Sequence, residues 1–285
     1  MWWVGTESRA LEVLLTRTGW AACRGGRFLH AEATLTQSDA LASLQQWLRK
    51  HGAGRWWAPS RTTIYLSGAL CRPFLLPELP PLSAAERHLA IDAAARARTG
   101  FSEPVQIWLS PVMNDGAIPG AAHQVGAATP LQQQRELLAS FRKLTGVRLV
   151  SVQPLWCLAL EVSLSDKSDS HDAPDMLLVR DPDSVTILAG KKSDGAAQVD
   201  RLDGFAAVMT VDAAQDELNQ RNAILRVASG LAVEPKRSVQ FEADLPRVER
   251  AGERPTSADS VELAPSNCRP LEGLWALRPF EIASV

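Results

Sequence analysis

Residues 144–161 read Leu144-Thr-Gly146-Val147-Arg-Leu-Val-Ser-Val152-Gln-Pro154-Leu-Trp156-Cys-Leu-Ala-Leu160-Glu161. Gly146 ends a helix, a strand is predicted over 147–152, and Pro154 opens a second helix running through Leu160. Proline is tolerated in a first helical turn because its missing N–H has no intrahelical partner there. Apolar residues at 147, 149, 150 and 152 predict a strand buried on both faces, in the middle of a sheet. The helix after it is apolar nearly all round, which places it inside. This stretch divides the chain: residues 1–146 are read as one half, 147–243 as a second, and 244–285 as a flexible tail with a terminal apolar segment.

Outward toward the N-terminus, Leu131, Leu138, Phe141 and Leu144 line one face of the preceding helix. Thr129-Pro130-Leu131-Gln132 has the pattern of a capping box with proline at the first helical position. Val105, Ile107 and Leu109 alternate as a strand, and 123–127 is a weaker one. Ser83-Ala-Ala-Glu86 is another capping box, opening an alanine-rich helix that runs to Gly100. Thr62–Ser67 and Leu70–Leu76 around Gly68 are predicted to form a hairpin, ended by Pro77, Pro80 and Pro81. The first fifty residues are read as short strands and a helix. Leu11, Val13 and Leu15 alternate with Glu12 as a half-buried strand, and Leu41, Leu44 and Leu48 share a helix face capped by Ser38.

Toward the C-terminus, residues 165–172 form a polar, charged loop whose Asp and His spacing fits no metal site. Met176–Arg180 and Ser184–Ala189 flank Asp181-Pro182-Asp183, a compact hairpin turn. Further strands are read at 196–202, 205–211 and 238–243, with a long helix from Asp212 to Gly230. The apolar segment 274–282 is expected to fold back as an edge strand, where Pro279 is tolerated.

Composition narrows the function classes. The chain has 285 residues, 46% hydrophobic and 22% charged, as in a globular protein of two modest units. A net charge of −2 gives no general attraction for nucleic acid, which is not expected as a partner. No apolar run reaches the length of about eighteen residues that a spanning helix needs. The opening Met1-Trp-Trp-Val-Gly-Thr-Glu is not expected to be a secretory signal, having neither a basic nor a long apolar region. Cys23, Cys71, Cys157 and Cys268 lie far apart, with no C-x-x-C spacing, so neither disulfides nor zinc are expected. Most of the nine tryptophans are read as packing residues.

No P-loop, dinucleotide fingerprint, H-E-x-x-H or G-x-S-x-G elbow is present. His30, His51, His88, His123 and His171 are scattered, and Asp181 with Asp183 marks a turn. No catalytic, cofactor or metal residue is assigned. Leu75, Leu76 and Leu79, beside the proline run, are the candidate partner-binding residues.

The order of strands then helix in 2–50 recurs in 175–230. That order resembles the actin-like ATPase fold, an α/β architecture of two ribonuclease-H-like subdomains with mixed sheets and a small inserted subdomain, here at about 61–128. Within that fold the chain is similar to the family of the pilus protein PilM, the GspL cytoplasmic domain and MshI. The features that carry the likeness are the Val4-Gly5-Thr6-Glu7-Ser8 turn, the insertion, the segment Gly146 to Leu160, and the 176–189 hairpin.

Nucleotide-binding members carry an Asp-x-Gly turn in each half. Here Trp2-Trp3 precede Gly5, and Arg180-Asp181-Pro182-Asp183-Ser184 has no glycine, with a proline that supplies no amide to an oxyanion. The resemblance therefore implies a non-catalytic cytoplasmic scaffold of a type IV pilus or type II secretion inner-membrane platform. It would take no cofactor and dock the cytoplasmic tail of a membrane protein. It also implies an assembly ATPase as a further partner, and membrane association only through partners. The alternative is an actin-like ATPase or sugar-kinase relative with divergent nucleotide loops.

Overall fold

The computed structural model describes residues 10–24, 27–34, 36–52, 59–77, 79–109, 124–159, 176–191, 204–212, 238–242 and 280–281. The central strand is β1 (Leu11–Thr16), with β2 (Gly19–Arg24) and β3 (Arg27–Ala33) added antiparallel on one side. On the other side β4 (Ser60–Leu66) pairs in parallel with β1, and β8 (Val147–Pro154) in parallel with β4. The first sheet thus has the order β3-β2-β1-β4-β8. A second sheet repeats the pattern. It is built from β9 (Met176–Arg180), β10 (Ser184–Lys191), β11 (Gly204–Asp212), β12 (Ser238–Glu242) and β13 (Phe280–Glu281), in the order β11-β10-β9-β12-β13. Its last strand runs antiparallel to β12, where β8 runs parallel to β4. The pair at Phe280–Glu281 is the expected edge strand.

Several expectations give way to this pairing. The strand at 147–154 is an edge strand of the first sheet, with Val150 46% exposed, and so belongs with the N-terminal sheet instead of opening the second half. The buried centre is β1, whose leucines and valine are covered on both faces. Glu12 is the exception there. It accepts from Cys23 Sγ at 3.3 Å, and burial holds its carboxyl above the usual range. Residues 62–76 form no hairpin, because β4 is held between β1 and β8. The smaller sheet starts later, at β5 (Arg72–Leu76), and runs β5-β7-β6 with β6 (Val105–Leu109) and β7 (Gln124–Pro130).

Helix α1 (Gln37–Trp47) starts at Thr36, whose hydroxyl accepts from Asp39 N, and not at Ser38. It continues as a π-helical turn, Leu48–Gly52. Trp20, His30, Trp47 and His51 form a chain of ring contacts where α1 covers the sheet. Helix α2 (Ala84–Thr99) has the expected Ser83–Glu86 capping box and stops at Gly100, left-handed with φ 72°. α2 covers the small sheet, where the Phe74 ring lies so close over Gly126 that a Cβ there would meet it at 2.4 Å. Helix α3 (Leu131–Arg142) buries Leu137 and Phe141. Thr129 does not cap it; its hydroxyl donates to Leu70 O at 2.8 Å instead. Residues 155–159 form α4, whose Leu155, Trp156, Leu158 and Ala159 are buried as expected.

One apolar core joins the first sheet, its helices and the inward face of the second sheet, through Leu177, Val179 and Leu188. Met176, Leu178, Val185 and Ile187 face a separate cluster on the other side, as the two-residue period of a doubly covered strand requires. The strand expected at 196–202, the helix after Asp212 and the Val4–Ser8 turn lie outside the described residues. Among the described residues, no helix is long and apolar enough to cross a membrane.

Candidate functional site

The matching position of β1 and β9 in the two sheets brings two hairpin turns together. In the first sheet the turn between β1 and β2 is Arg17-Thr18, not the N-terminal segment around Gly5. Thr16 Oγ1 donates to Gly19 O at 3.0 Å and accepts from Thr18 N at 3.3 Å, which tightens the turn. In the second sheet the turn between β9 and β10 is Asp181-Pro182-Asp183, closed by Asp181 N donating to Ser184 O at 2.9 Å. Asp181 Oδ1 accepts the amides of Asp183 at 3.1 Å and Ser184 at 2.7 Å, so the side chain folds its own turn around itself.

The other carboxylate oxygen reaches across the cleft. Asp181 Oδ2 accepts Gly68 N at 2.8 Å, from the turn after β4, and Ser184 Oγ at 2.7 Å. Asp183 Oδ2 accepts Arg17 N at 2.5 Å. The Arg17 guanidinium spans the same gap, donating to Ala69 O at 3.3 Å and lying 3.8 Å from Asp212 Oδ2. Asp181 is 4% exposed, and burial pushes its carboxyl well above the usual range; the neighbouring Asp183 charge adds to this. Hydrogen bonds from Gly68 and Ser184 pull the other way. Arg72, at the start of β5, is lowered by burial first and by the Arg17 charge second.

This arrangement resembles an anion site already filled by the chain's own carboxyl groups. Backbone amides at adjoining turns make a cradle for phosphate when they are free to point inward. Here the amides of Gly68, Asp183 and Ser184 all donate to Asp181, and that of Arg17 donates to Asp183. Pro182 has none to offer. A phosphate entering this cleft must displace a carboxylate of the chain itself. Among the described residues, no group of three or more His, Cys, Asp or Glu side chains is placed to hold a metal. A groove of about 300 Å³ between α1 and α3, with Leu41, Gln45, Glu136 and Lys143 in its walls, presents no such convergence of amides.

The three leucines at the end of β5 are not gathered on an open surface. Leu75 (7% exposed) faces the large core, and Leu76 (3% exposed) faces the core under α2. Leu79 is half-buried and packs against that second core. Strand alternation sends the first two to opposite faces, both of them covered. Asp181 and Asp183 were legible as a turn. Gly68 was legible as a turn too, but the contacts of Gly68 and Arg17 carried no sequence signal, because their partners lie 113 and 166 positions away.

No family model matches the sequence, and no curated protein matches it. Solved structures do. A Bacteroides thetaiotaomicron protein with an actin-like ATPase fold and unknown function aligns over 88% of this chain and 88% of its own, with TM-score 0.51 and 9% identity. The cytoplasmic domain of EpsL, an inner-membrane component of the Vibrio cholerae type II secretion system, covers 84% of this chain and 85% of its own. Its TM-score is 0.43 at 12% identity. The PilM–PilN type IV pilus biogenesis complex contributes a chain covering 79% here and 72% there, with TM-score 0.42 and 15% identity. The fold is therefore actin-like.

Proposed function

We propose that this chain is a non-catalytic scaffold of an inner-membrane assembly platform, of the type IV pilus or type II secretion kind, working on the cytoplasmic side. Its task is to dock the cytoplasmic tail of a membrane protein, with an assembly ATPase as a second partner. Two things support this reading. The sequence resembles the PilM, GspL and MshI family in the residues quoted above. The observation that carries the non-catalytic part is the Asp181 carboxylate, which takes up the amides of Gly68, Asp183 and Ser184 where a nucleotide phosphate would need them.

The small sheet with α2 is the proposed docking unit. Leu79 is the accessible member of the three leucines there, and Leu89 on α2 is 67% exposed. Isothermal titration of the chain with Mg-ATP tests the catalytic question. No heat is expected, and micromolar binding would return the chain to the actin-like ATPases. Pull-down with peptides from cytoplasmic tails of platform membrane proteins tests the rest. Capture of one such tail, weakened by Leu89→Asp, is the expected result; no capture of any would count against the scaffold.

A further inference from the structure

The end of the first sheet opposite the cleft gathers positive charge that a chain of net charge −2 does not announce. Strand register sets the first row. Arg27 pairs with Arg24 across the β2–β3 turn, Arg24 with Leu11, Leu11 with Thr62, and Arg61 with Arg148 on the far side. Helix α3 ends at Arg142 and is followed by Lys143, only a few residues before β8 begins at that same end. α1 follows β3 and folds back along the sheet, stacking Trp47 on His30, so that Arg49, Lys50 and His51 close its last turn toward Arg27.

Arg49, Lys50, Arg61, Arg142, Lys143 and Arg148 are all exposed, and among the described residues none of them forms an ion pair. The described carboxylates of this half lie elsewhere: Asp39 in the first turn of α1, Glu32 toward the cleft end of β3, Glu136 midway along α3, and Glu86, Asp92 and Glu103 on or beside α2 and β6 of the small-sheet unit. Glu12 alone sits near the basic end, and it is half-buried and engaged by Cys23. Cations at the ends of α1 and α3 suit the helix dipoles. The dipoles give no reason for Arg24, Arg27, Arg61 and Arg148, which lie on strands.

Apolar groups are mixed into this end. Phe28 (45%) and Leu29 (40%) are exposed directly after Arg27, and Val150 projects from the same edge strand as Arg148. A polyanion such as nucleic acid would match the charge and leave these hydrophobes in water. A lipid surface matches both, since cations meet anionic headgroups while aromatic and aliphatic side chains enter the boundary beneath them.

We propose that this basic end is a peripheral membrane-binding face that takes anionic phospholipid headgroups directly, in contrast to the expectation of association through partners alone. It stands apart from the scaffold reading, since neither needs the other. The test is sedimentation of the full chain with phosphatidylcholine vesicles, with and without phosphatidylglycerol. Binding is expected only with phosphatidylglycerol, falling as salt is raised. Arg61→Gln with Arg148→Gln, and separately Lys50→Gln with Arg142→Gln, should each weaken it by about tenfold or more. Arg87→Gln with Arg98→Gln on α2 removes the same charge elsewhere and should leave binding unchanged. An unfolding midpoint equal to that of the parent confirms that each variant is folded. Equal binding to phosphatidylcholine alone, equal loss from the α2 pair, or no vesicle binding beside tight binding to duplex DNA or an acidic peptide would each overturn it.

Discussion

The backbone N–H of Gly68 donates to Asp181 Oδ2 at 2.8 Å, joining the turn after β4 in the first sheet to the β9–β10 turn in the second. Gly68 is fitted so closely there that a Cβ would meet Thr186 Oγ1 at 2.2 Å and Ser184 Oγ at 2.6 Å. Together with Arg17 N on Asp183, this contact holds the two sheets shut at the cleft. In the proposed scaffold role, such closure would keep the binding faces in a fixed relation.

Gly68→Ala should therefore destabilise the chain by about 1–3 kcal/mol, the cost of forcing a methyl group into a filled site. Urea denaturation followed by circular dichroism measures it. A midpoint unchanged from the parent would mean that the two turns do not meet this tightly.

Asp181 sets a pH dependence of definite sign. Its carboxyl is raised in the folded chain by burial and by Asp183, so protonation favours the folded state. The stability it contributes is full below the ordinary carboxylate pKa and is lost as pH rises through the raised value. Asp181→Asn cannot titrate, so the parent-minus-variant difference in unfolding free energy should fall as pH rises through that window. Parallel slopes for both proteins across that window would contradict the assignment.

Leu76 and Leu79 should separate packing from docking. Leu76→Ala empties a covered site under α2 and should cost about 2–5 kcal/mol. Leu79→Ala should cost far less while lowering capture of a membrane-protein tail. Thermal unfolding and the peptide pull-down, run on both variants, check this; a larger stability loss at 79 than at 76 would reverse the roles.

Trp156 ties α4 to the turn after β4, its Nε1 donating to Cys71 O at 3.2 Å in the buried core. Trp156→Phe keeps an aromatic ring but leaves that carbonyl without its donor, at about 1–3 kcal/mol. Equilibrium denaturation should show the loss, and a neutral result would place the indole outside the core.

What the sequence determined by itself was local. The Ser83–Glu86 capping box, the stop at Gly100, the hairpin around Pro182 and the buried helix after Pro154 all follow from spacings of a few residues. The repeated order of strands also suggested two related halves, and the sheets bear that out. The tertiary structure decided the rest. The apolar run at 147–152 looked central and lies at an edge, while the strand with Glu12 lies at the centre. Hydrophobic pattern reports which faces are covered, and the identity of the neighbour comes only from pairing. The same holds for Thr129, whose hydroxyl left its helix for Leu70 O, and for Asp181, whose partner Gly68 is 113 positions away. A hydrogen bond of that span is set by how two sheets come to face each other, and no local spacing records it.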